Sequence, residues 1–257
     1  MEYGIVQASF LPVRKDPDSS SEMTSQLLFG EIFEVLERNA QWLLARNRFD
    51  GYEGWISPGM TSLFNENSLR EYEAMESSLV KNKFCSLRGQ EGVLLVPLGS
   101  VLYHTAAYPL RIQCGKTYEL DRSIEKPAPD KLEALEDLKG QLQNVPYLWG
   151  GKSSYGTDCS GLVQTIFRLL NIPLLRDASL QVGQGKTVNM ISESRTGDLV
   201  FFDNDEGEIV HTGIISGAGK VLHASGCVKV DPIDHQGIYS KQLGKYTHRL
   251  RIIKRVT

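Results

Sequence analysis

The sequence predicts an α+β chain in which one or two small β-barrels precede a unit of mixed helices and strands. Three observations support this fold class. Short apolar segments separated by turn residues fill 1–63, an amphipathic helix pattern begins near residue 131, and a second helix pattern is followed by several strand patterns. The predicted units are 1–63, 64–125 and 126–257.

The composition is that of an ordinary globular protein. The chain has 257 residues, of which 41% are hydrophobic and 23% charged, so two or three compact units are expected. A net charge of −3 supplies no basic field for nucleic acid, and no apolar run is long enough to span a bilayer. The first residues lack the basic start and apolar core of a signal peptide, so we expect a cytoplasmic protein.

Cysteine usage excludes several kinds of site. The four cysteines are scattered without paired short spacing, which argues against a zinc ribbon and against a disulfide framework. His211, His223 and Cys227 have the side chains of a metal site. However, Cys227 lies four residues after His223 on a predicted strand, about 13 Å away. No metal and no cofactor is therefore predicted.

Residues 1–63 read as about five short strands, which fit a small closed barrel. The segment 11–14 is interpreted as the start of a loop. Three pieces in order, 29–31, 39–42 and 51–56, resemble a bacterial SH3-like domain. That resemblance implies a binding or spacer module.

Residues 64–125 carry weaker patterns. Residues 69–80 are charged and compatible with a helical connector, and strands are predicted at 92–97, 100–103 and 108–114. A second, reduced SH3-like barrel is our interpretation. The proline-containing segment 124–130 is predicted to be a linker.

The C-terminal unit begins with a leucine stripe at 132, 135, 138 and 142, which predicts an amphipathic helix with Asp130 as its N-cap. A second helix is predicted to begin at Cys159 with Asp158 as its N-cap and to end before Asn171 and Pro173. Strands are predicted at 199–202, 209–215 and 220–225, and the last two are joined by a glycine-rich turn.

Cys159 is the first candidate for catalysis. A thiol in the first turn of a helix meets unpaired N–H groups and the positive end of the helix dipole, which predicts a lowered pKa and a reactive thiolate. The alternative is that Cys159 is a small buried hydrophobic residue at a helix start.

Two histidines in the predicted hairpin complete a possible catalytic set. If Ile215 pairs with Gly219, paired residue numbers sum to 434, and His211 then lies directly opposite His223 on one face of the sheet. A cysteine nucleophile needs a general base, and that base needs a third group to hold its Nδ1–H. The predicted roles are nucleophile for Cys159, base for His211 and orienting group for His223, with N–H groups at the helix start as part of an oxyanion hole.

These motifs, together with 147–151, 158–161 and 197–202, resemble the NlpC/P60 family of cysteine peptidases. The resemblance covers about 130 residues in order and implies a papain-like core with permuted element order that cuts peptides of the bacterial cell wall. Thr196 and Thr212 stand where proline and valine are usual in that family.

With SH3-like barrels and no visible signal peptide, the chain resembles the γ-D-glutamyl-L-diamino acid endopeptidases that recycle murein peptides. The resemblance implies a tripeptide or tetrapeptide substrate, L-Ala-γ-D-Glu-diamino acid, and no nucleic acid or membrane partner. It implies substrate contacts beside the nucleophile and ammonium recognition from the first barrel. The residues concerned are Asp158 and Ser160 beside the nucleophile, Glu31 and Tyr52 for the ammonium, and Tyr147, Trp149 and Asp177 as pocket walls.

Two further hypotheses remain open. One is a secreted hydrolase that acts on polymeric peptidoglycan, and the other is an SH3-like binding protein with an inactive peptidase unit. The sequence does not distinguish diaminopimelate from lysine as the third residue of the substrate.

Overall fold

The computed structural model describes residues 1–104, 110–120 and 131–256, and the described chain forms two compact units. The first comprises the described residues of 1–126 together with 149–154, and the second the described residues of 127–148 and 155–257. Among the described residues, no helix is both long enough and apolar enough to cross a membrane. The predicted linker 124–130 and the Asp130 N-cap lie outside the described residues. The boundaries at 63 and 125 stay predictions.

The first sheet is antiparallel and has the strand order β3-β2-β6-β5-β4-β1-β7. Its core is formed by alternating apolar residues on these strands, as a half-buried strand requires. A short 3₁₀ helix, Pro58–Met60, precedes the last strand. The strands are β1 Glu2–Val6, β2 Phe10–Arg14, β3 Met23–Leu28, β4 Ile32–Asn39, β5 Trp42–Asn47, β6 Glu53–Ile56 and β7 Thr61–Asn65.

The interpretation of 11–14 as a loop is wrong. These residues belong to β2, in which Leu11 and Val13 are buried while their neighbours are only half-buried. Pro12 pairs with Gln26 in the sheet register, so the alternation of apolar residues prevails over the turn preference of proline.

The second sheet has the strand order β10-β9-β13-β12-β11-β8 and shares a core with the first. Its strands are β8 Glu76–Leu79, β9 Phe84–Gly89, β10 Gly92–Pro97, β11 Val101–His104, β12 Leu110–Cys114 and β13 Lys116–Leu120. The predicted strand at 108–114 is described from residue 110 onward. Whether this sheet is a second SH3-like barrel stays a prediction.

The helix-compatible segment 69–80 is helical only in part. Helix α1 spans Glu66–Ala74 and is capped by the Asn65 side chain, which accepts from the N–H groups of Asn67 and Ser68. Met75 is extended (φ −77°, ψ 150°), and β8 then pairs with β11. The backbone N–H and C=O groups of β8 find their hydrogen-bond partners on β11, so this part of the segment does not need to be helical.

The second unit combines helices with a sheet of strand order β16-β22-β17-β18-β19-β20, and β21 pairs with β22. The two predicted helices, near residue 131 and at Cys159, are confirmed. The helices are α2 Lys131–Leu142, α3 Cys159–Leu169 and α4 Ala178–Gln181, with a 3₁₀ turn Ile191–Glu193. The strands are β15 Gly156–Thr157, β16 Lys186–Val188, β17 Leu199–Asp203, β18 Ile209–Ile215, β19 Lys220–Ser225, β20 Cys227–Pro232, β21 Gly237–Ser240 and β22 Lys245–Arg255, while β14 Lys152–Ser153 belongs to the first unit.

Helix α3 packs against β18 and β19 and is buried along most of its length. It ends where predicted, because Asn171 takes a left-handed conformation (φ 60°). The packing places the N-terminus of α3, where Cys159 lies, beside the two strands that carry His211 and His223. The α+β class, with a strand-rich region before a unit of mixed helices and strands, is confirmed.

Candidate active site

A buried ion pair holds the start of helix α3. The Asp158 carboxylate caps the helix by accepting from the Gly161 N–H at 2.7 Å, as predicted. Arg176, with 2% of its surface exposed, donates to both Asp158 oxygens, at 3.0 Å and 2.6 Å, and to Ser160 Oγ at 2.9 Å. This bidentate geometry positions Asp158 and Ser160 on either side of Cys159 and compensates the buried carboxylate.

Cys159 is a buried thiol, and the prediction of a lowered pKa is wrong. Burial raises its pKa to about 11, and the negative charge of Asp158 adds to the rise. Hydrogen bonds from the backbone amides of Thr212 and Ser160, and then the charge of Arg176, oppose it. The desolvation of the thiolate thus outweighs the helix start, so the resting residue is a thiol. The contact with Thr212 brings the sulfur beside the residue that follows His211.

The two histidines lie on the same face of the sheet, but the predicted register is wrong by two residues. Ile215 pairs with Val221 and Ile214 with Leu222, so paired numbers sum to 436 rather than 434. Because a shift of two keeps the face, His211 and His223 are diagonal neighbours. The absence of a side chain at Gly213 allows the His223 side chain to lie close to β18, because a Cβ at residue 213 would lie 2.9 Å from Leu222 O and 3.2 Å from His223 Cβ.

A chain of hydrogen bonds runs from Asp231 through His223 to His211. Asp231 Oδ2 is 3.1 Å from His223 Nε2, and His223 Nδ1 is 2.9 Å from His211 Nε2. A carboxylate can only accept, so His223 carries its proton on Nε2 and accepts at Nδ1. His211 must then donate from Nε2, which leaves a lone pair on its Nδ1. The prediction that the orienting group holds Nδ1–H of the base is therefore wrong, because the bonded atom is Nε2.

The histidines are neutral in this environment. Burial lowers the pKa of His223 to about 4, although the hydrogen bond to Asp231 raises it, and burial lowers the pKa of His211 well below 6.5. His248 on β22 stacks on His211 with ring centroids 4.1 Å apart, and its own pKa is lowered, first by burial. At rest, Cys159 is thus a thiol and His211 a neutral imidazole whose Nε2 is bonded to His223.

The predicted pocket walls lie in different parts of the structure. Tyr147 belongs to the second unit, and its pKa is raised to about 12, first by burial, then by the Cys159 thiolate that forms at such high pH, and then by the Asp158 carboxylate. Trp149 belongs to the first unit, is 60% exposed and donates from Nε1 to Glu22 at 2.7 Å. Asp177 is the N-cap residue of α4. Their substrate contacts stay predictions.

Glu31 and Tyr52 both lie in the first unit. The Glu31 carboxylate is buried and is 3.1 Å from the ammonium of Lys152, which is also buried, and it accepts from the Leu28 N–H at 2.9 Å. Tyr52 is half-buried and packs against the core of the first sheet. The recognition of a substrate ammonium by these residues stays a prediction, but Glu31 is paired with a cation of the chain itself.

Three residues of the site escaped the sequence reasoning: Asp231, His248 and Arg176. A signal for Asp231 was present, because Gly226 (φ 74°) joins β19 and β20 in a tight turn that pairs Ser225 with Cys227. Counting two pairs back from this turn places Lys229 opposite His223. Asp231 lies two residues after Lys229, so its side chain is on the same face of the sheet as His223. His248 and Arg176 come from distant segments and carried no comparable signal.

Two family models match the chain. The NlpC/P60 family matches residues 144–247, and the bacterial dipeptidyl-peptidase Sh3 domain matches residues 13–58. A γ-D-glutamyl-L-lysine dipeptidyl-peptidase of Bacillus subtilis is 44% identical over 78% of this chain and 71% of its own. One of the same name from Bacillus cereus is 24% identical over 88% of this chain and 75% of its own.

Solved structures agree in fold. An NlpC/P60 family protein from Bacillus cereus superposes with a TM-score of 0.83 over 99% of each chain at 19% identity. An NlpC/P60 endopeptidase from Photobacterium damselae gives 0.75 over 97% of this chain and 70% of its own at 16% identity. Together with the relative that is 44% identical over most of both chains, these matches place the chain in the NlpC/P60 peptidase family, with a bacterial SH3 domain before the peptidase unit.

Proposed function

We propose that the chain is a cysteine peptidase that hydrolyses the γ-D-Glu–diamino acid bond of murein peptides with a free N-terminal L-Ala, in the turnover and recycling of peptidoglycan. The family makes it a peptidoglycan-related hydrolase, and two relatives are named for a γ-D-glutamyl-L-lysine bond. The observation that carries the proposal is the hydrogen-bonded chain of Asp231, His223 and His211 beside a cysteine at a helix start.

In the first step, the Cys159 sulfur attacks the carbonyl carbon of the γ-D-glutamyl group while its proton passes to His211 Nδ1. The carbonyl oxygen becomes an oxyanion near the start of α3. Because the Gly161 and Leu162 N–H groups are occupied by Asp158, we assign the N–H of Cys159 to the oxyanion. The charge that forms on His211 is stabilised through His223 by Asp231.

The second step releases the amine. His211 returns its proton from Nδ1 to the leaving nitrogen, the C–N bond breaks, and the acyl group remains on Cys159 as a thioester. His211 then takes a proton from water at Nδ1, and the hydroxide adds to the thioester carbonyl. Collapse breaks the C–S bond and releases the acyl group as a carboxylic acid, while the departing Cys159 thiolate takes the proton back from His211. A neutral imidazole is the form that both base steps need.

The test uses purified protein and two synthetic peptides, followed by mass spectrometry. One is L-Ala-γ-D-Glu-diaminopimelate with a free amine, and the other is the same peptide with an acetylated amine. We expect cleavage between D-Glu and the diamino acid, lost in Cys159→Ala, and faster for the free amine. The acetylated amine is a neutral amide, so it cannot form the charged hydrogen bond that a carboxylate makes with a free ammonium.

Other results would lead to different functions. Equal cleavage of both peptides, with binding to intact cell wall, would move the protein to the hydrolases of polymeric peptidoglycan. The absence of cleavage, with the Cys159 thiol unreactive even to iodoacetamide at high pH, would leave a binding protein with an inactive peptidase unit.

A further inference from the structure

A cavity of about 790 Å³ in the peptidase unit is lined by His248 and by residues of the strands on either side of it. His248, which stacks on His211 at 4.1 Å, forms part of its wall. Val210, the residue directly before His211, lines the cavity as well and is 52% exposed. The cavity therefore begins at the flank of the proposed base.

The chemistry of amide cleavage determines which part of a substrate belongs on that flank. His211 must deliver its proton to the leaving nitrogen, so the residue that carries this nitrogen lies next to His211. Under the proposed function, that residue is a diamino acid. It brings a side-chain ammonium and, in a tripeptide, a carboxylate.

The cavity wall offers groups of both complementary charges. The Arg249 guanidinium is held by Asp203 Oδ1 at 2.8 Å, through Nε, and by the carbonyl of Asn204 at 2.9 Å, through one terminal nitrogen. Its other terminal nitrogen has no hydrogen bond within the described part of the chain, and 59% of the side chain is exposed. A carboxylate can be bound there without breaking the existing contacts.

Asp203 and Asp205 differ in availability. The Asp203 side chain is 4% exposed and is paired with Arg249 and Arg251. Asp205 is exposed, and its charge acts on Arg249 from a distance, but among the residues the structure describes its carboxylate makes no hydrogen bond or close ion pair. Asp205 is thus the acidic group of this wall that can receive a new cation.

We propose that this cavity is the leaving-group subsite and binds the diamino acid released by cleavage, with Asp205 contacting its side-chain ammonium and Arg249 its carboxylate. The proposal rests on the proposed function and adds to it the residues that select the third residue of the peptide. Both contacts are solvent-exposed, so each contributes a modest preference rather than an absolute one.

The test compares L-Ala-γ-D-Glu-L-Lys with L-Ala-γ-D-Glu-L-norleucine, which has the same carbon chain without the ammonium. We expect the full-length protein to prefer the lysine peptide about two- to fivefold in kcat/KM, which is the range of an exposed ion pair. Asp205→Asn should abolish this preference. The matched control is Glu206→Gln, which removes the neighbouring exposed carboxylate outside the cavity wall and should preserve it.

A second comparison addresses Arg249. The lysine peptide and its C-terminal amide should differ about two- to fivefold in the wild-type protein and not at all in Arg249→Gln, with unfolding temperatures recorded for each variant. An undiminished preference in either variant would overturn the subsite while leaving the peptidase function intact. Failure of the wild-type protein to cut any of these peptides would overturn the proposed function and the subsite with it.

Discussion

The charge of Asp231 is the feature of the site whose removal has the sharpest consequences. Asp231→Asn keeps the shape of the side chain but removes the carboxylate that lies 3.1 Å from His223 Nε2. An amide can still accept from Nε2–H, but it can also rotate and donate. Both imidazoles would then change tautomer, so that each carries its proton on Nδ1. A proton on His211 Nδ1 would block proton transfer from the Cys159 thiol.

The expected loss follows from the contacts of Asp231. A hydrogen bond to a charged group contributes about 1.5–3 kcal/mol. Asp231 also pairs with Lys229 at 3.4 Å and is 17% exposed, which places its effect in the lower part of that range. We expect kcat/KM to fall about 10- to 30-fold, equivalent to about 1.5–2 kcal/mol, with little change in KM.

A pH profile separates this role from a merely structural one. The Asp231 hydrogen bond raises the pKa of His223 against the effect of burial. Without the charge, the acid limb of kcat/KM should move to lower pH while the plateau falls. The ¹⁵N shifts of the two imidazoles should show mixed tautomers. Asp234→Asn, which removes a carboxylate bonded to Tyr246 on the same segment, is the matched control and should leave the limb in place. A lower plateau with an unmoved acid limb and unmoved ¹⁵N shifts would refute the tautomer argument.

Three further predictions concern the same unit. Burial raises the pKa of Cys159 to about 11, so alkylation by iodoacetamide at pH 7 should be at least about tenfold slower than for an unstructured cysteine peptide. The alkylation rate should rise steeply above pH 9. A plateau of the rate below pH 7 would contradict a resting thiol. His223 has a pKa of about 4 in the folded chain and about 6.5 in the unfolded chain, so between these pH values the unfolded chain binds more protons. As the pH falls from 7 to 5, this residue should therefore lower the free energy of unfolding by about 2 kcal/mol, measured by urea denaturation. His223→Gln should reduce that decrease. Arg176→Ala leaves the buried Asp158 carboxylate without its cation and should lower the free energy of unfolding by about 3–5 kcal/mol. Arg176→Lys keeps a cation and should lower the free energy of unfolding by less. Equal losses in the two variants would show that the charge of residue 176 is unimportant.

Local patterns predicted the elements that carry the site. The helix that begins at Cys159 is determined by its N-cap and its apolar period, and both are properties of neighbouring residues. The face shared by His211 and His223 was predicted although the register was off by two, because parity survives such a shift. Contacts of this kind depend on short-range geometry, which the sequence states directly.

Burial and long-range contacts could not be predicted in the same way. The pKa of Cys159 depends on how much of the chain packs over the sulfur, and the helix start alone argued for the opposite direction. Arg176 reaches Asp158 across eighteen positions, and His248 reaches His211 across thirty-seven, from segments whose own patterns are ordinary. The residues of the proposed catalytic set were therefore identifiable from the sequence, while their protonation states were not.

The ion pair of Lys152 and Glu31 bears on the recognition of a free peptide amine. For Glu31 to bind that ammonium at full strength, it would have to share its carboxylate with Lys152 or release it. Releasing a buried cation leaves an uncompensated charge and costs about 3–5 kcal/mol, more than one new charged hydrogen bond returns. Sharing is the less costly arrangement, and it weakens the pull on the substrate. The preference for the free over the acetylated peptide should therefore be modest in this chain, and should grow when Lys152 is replaced by threonine.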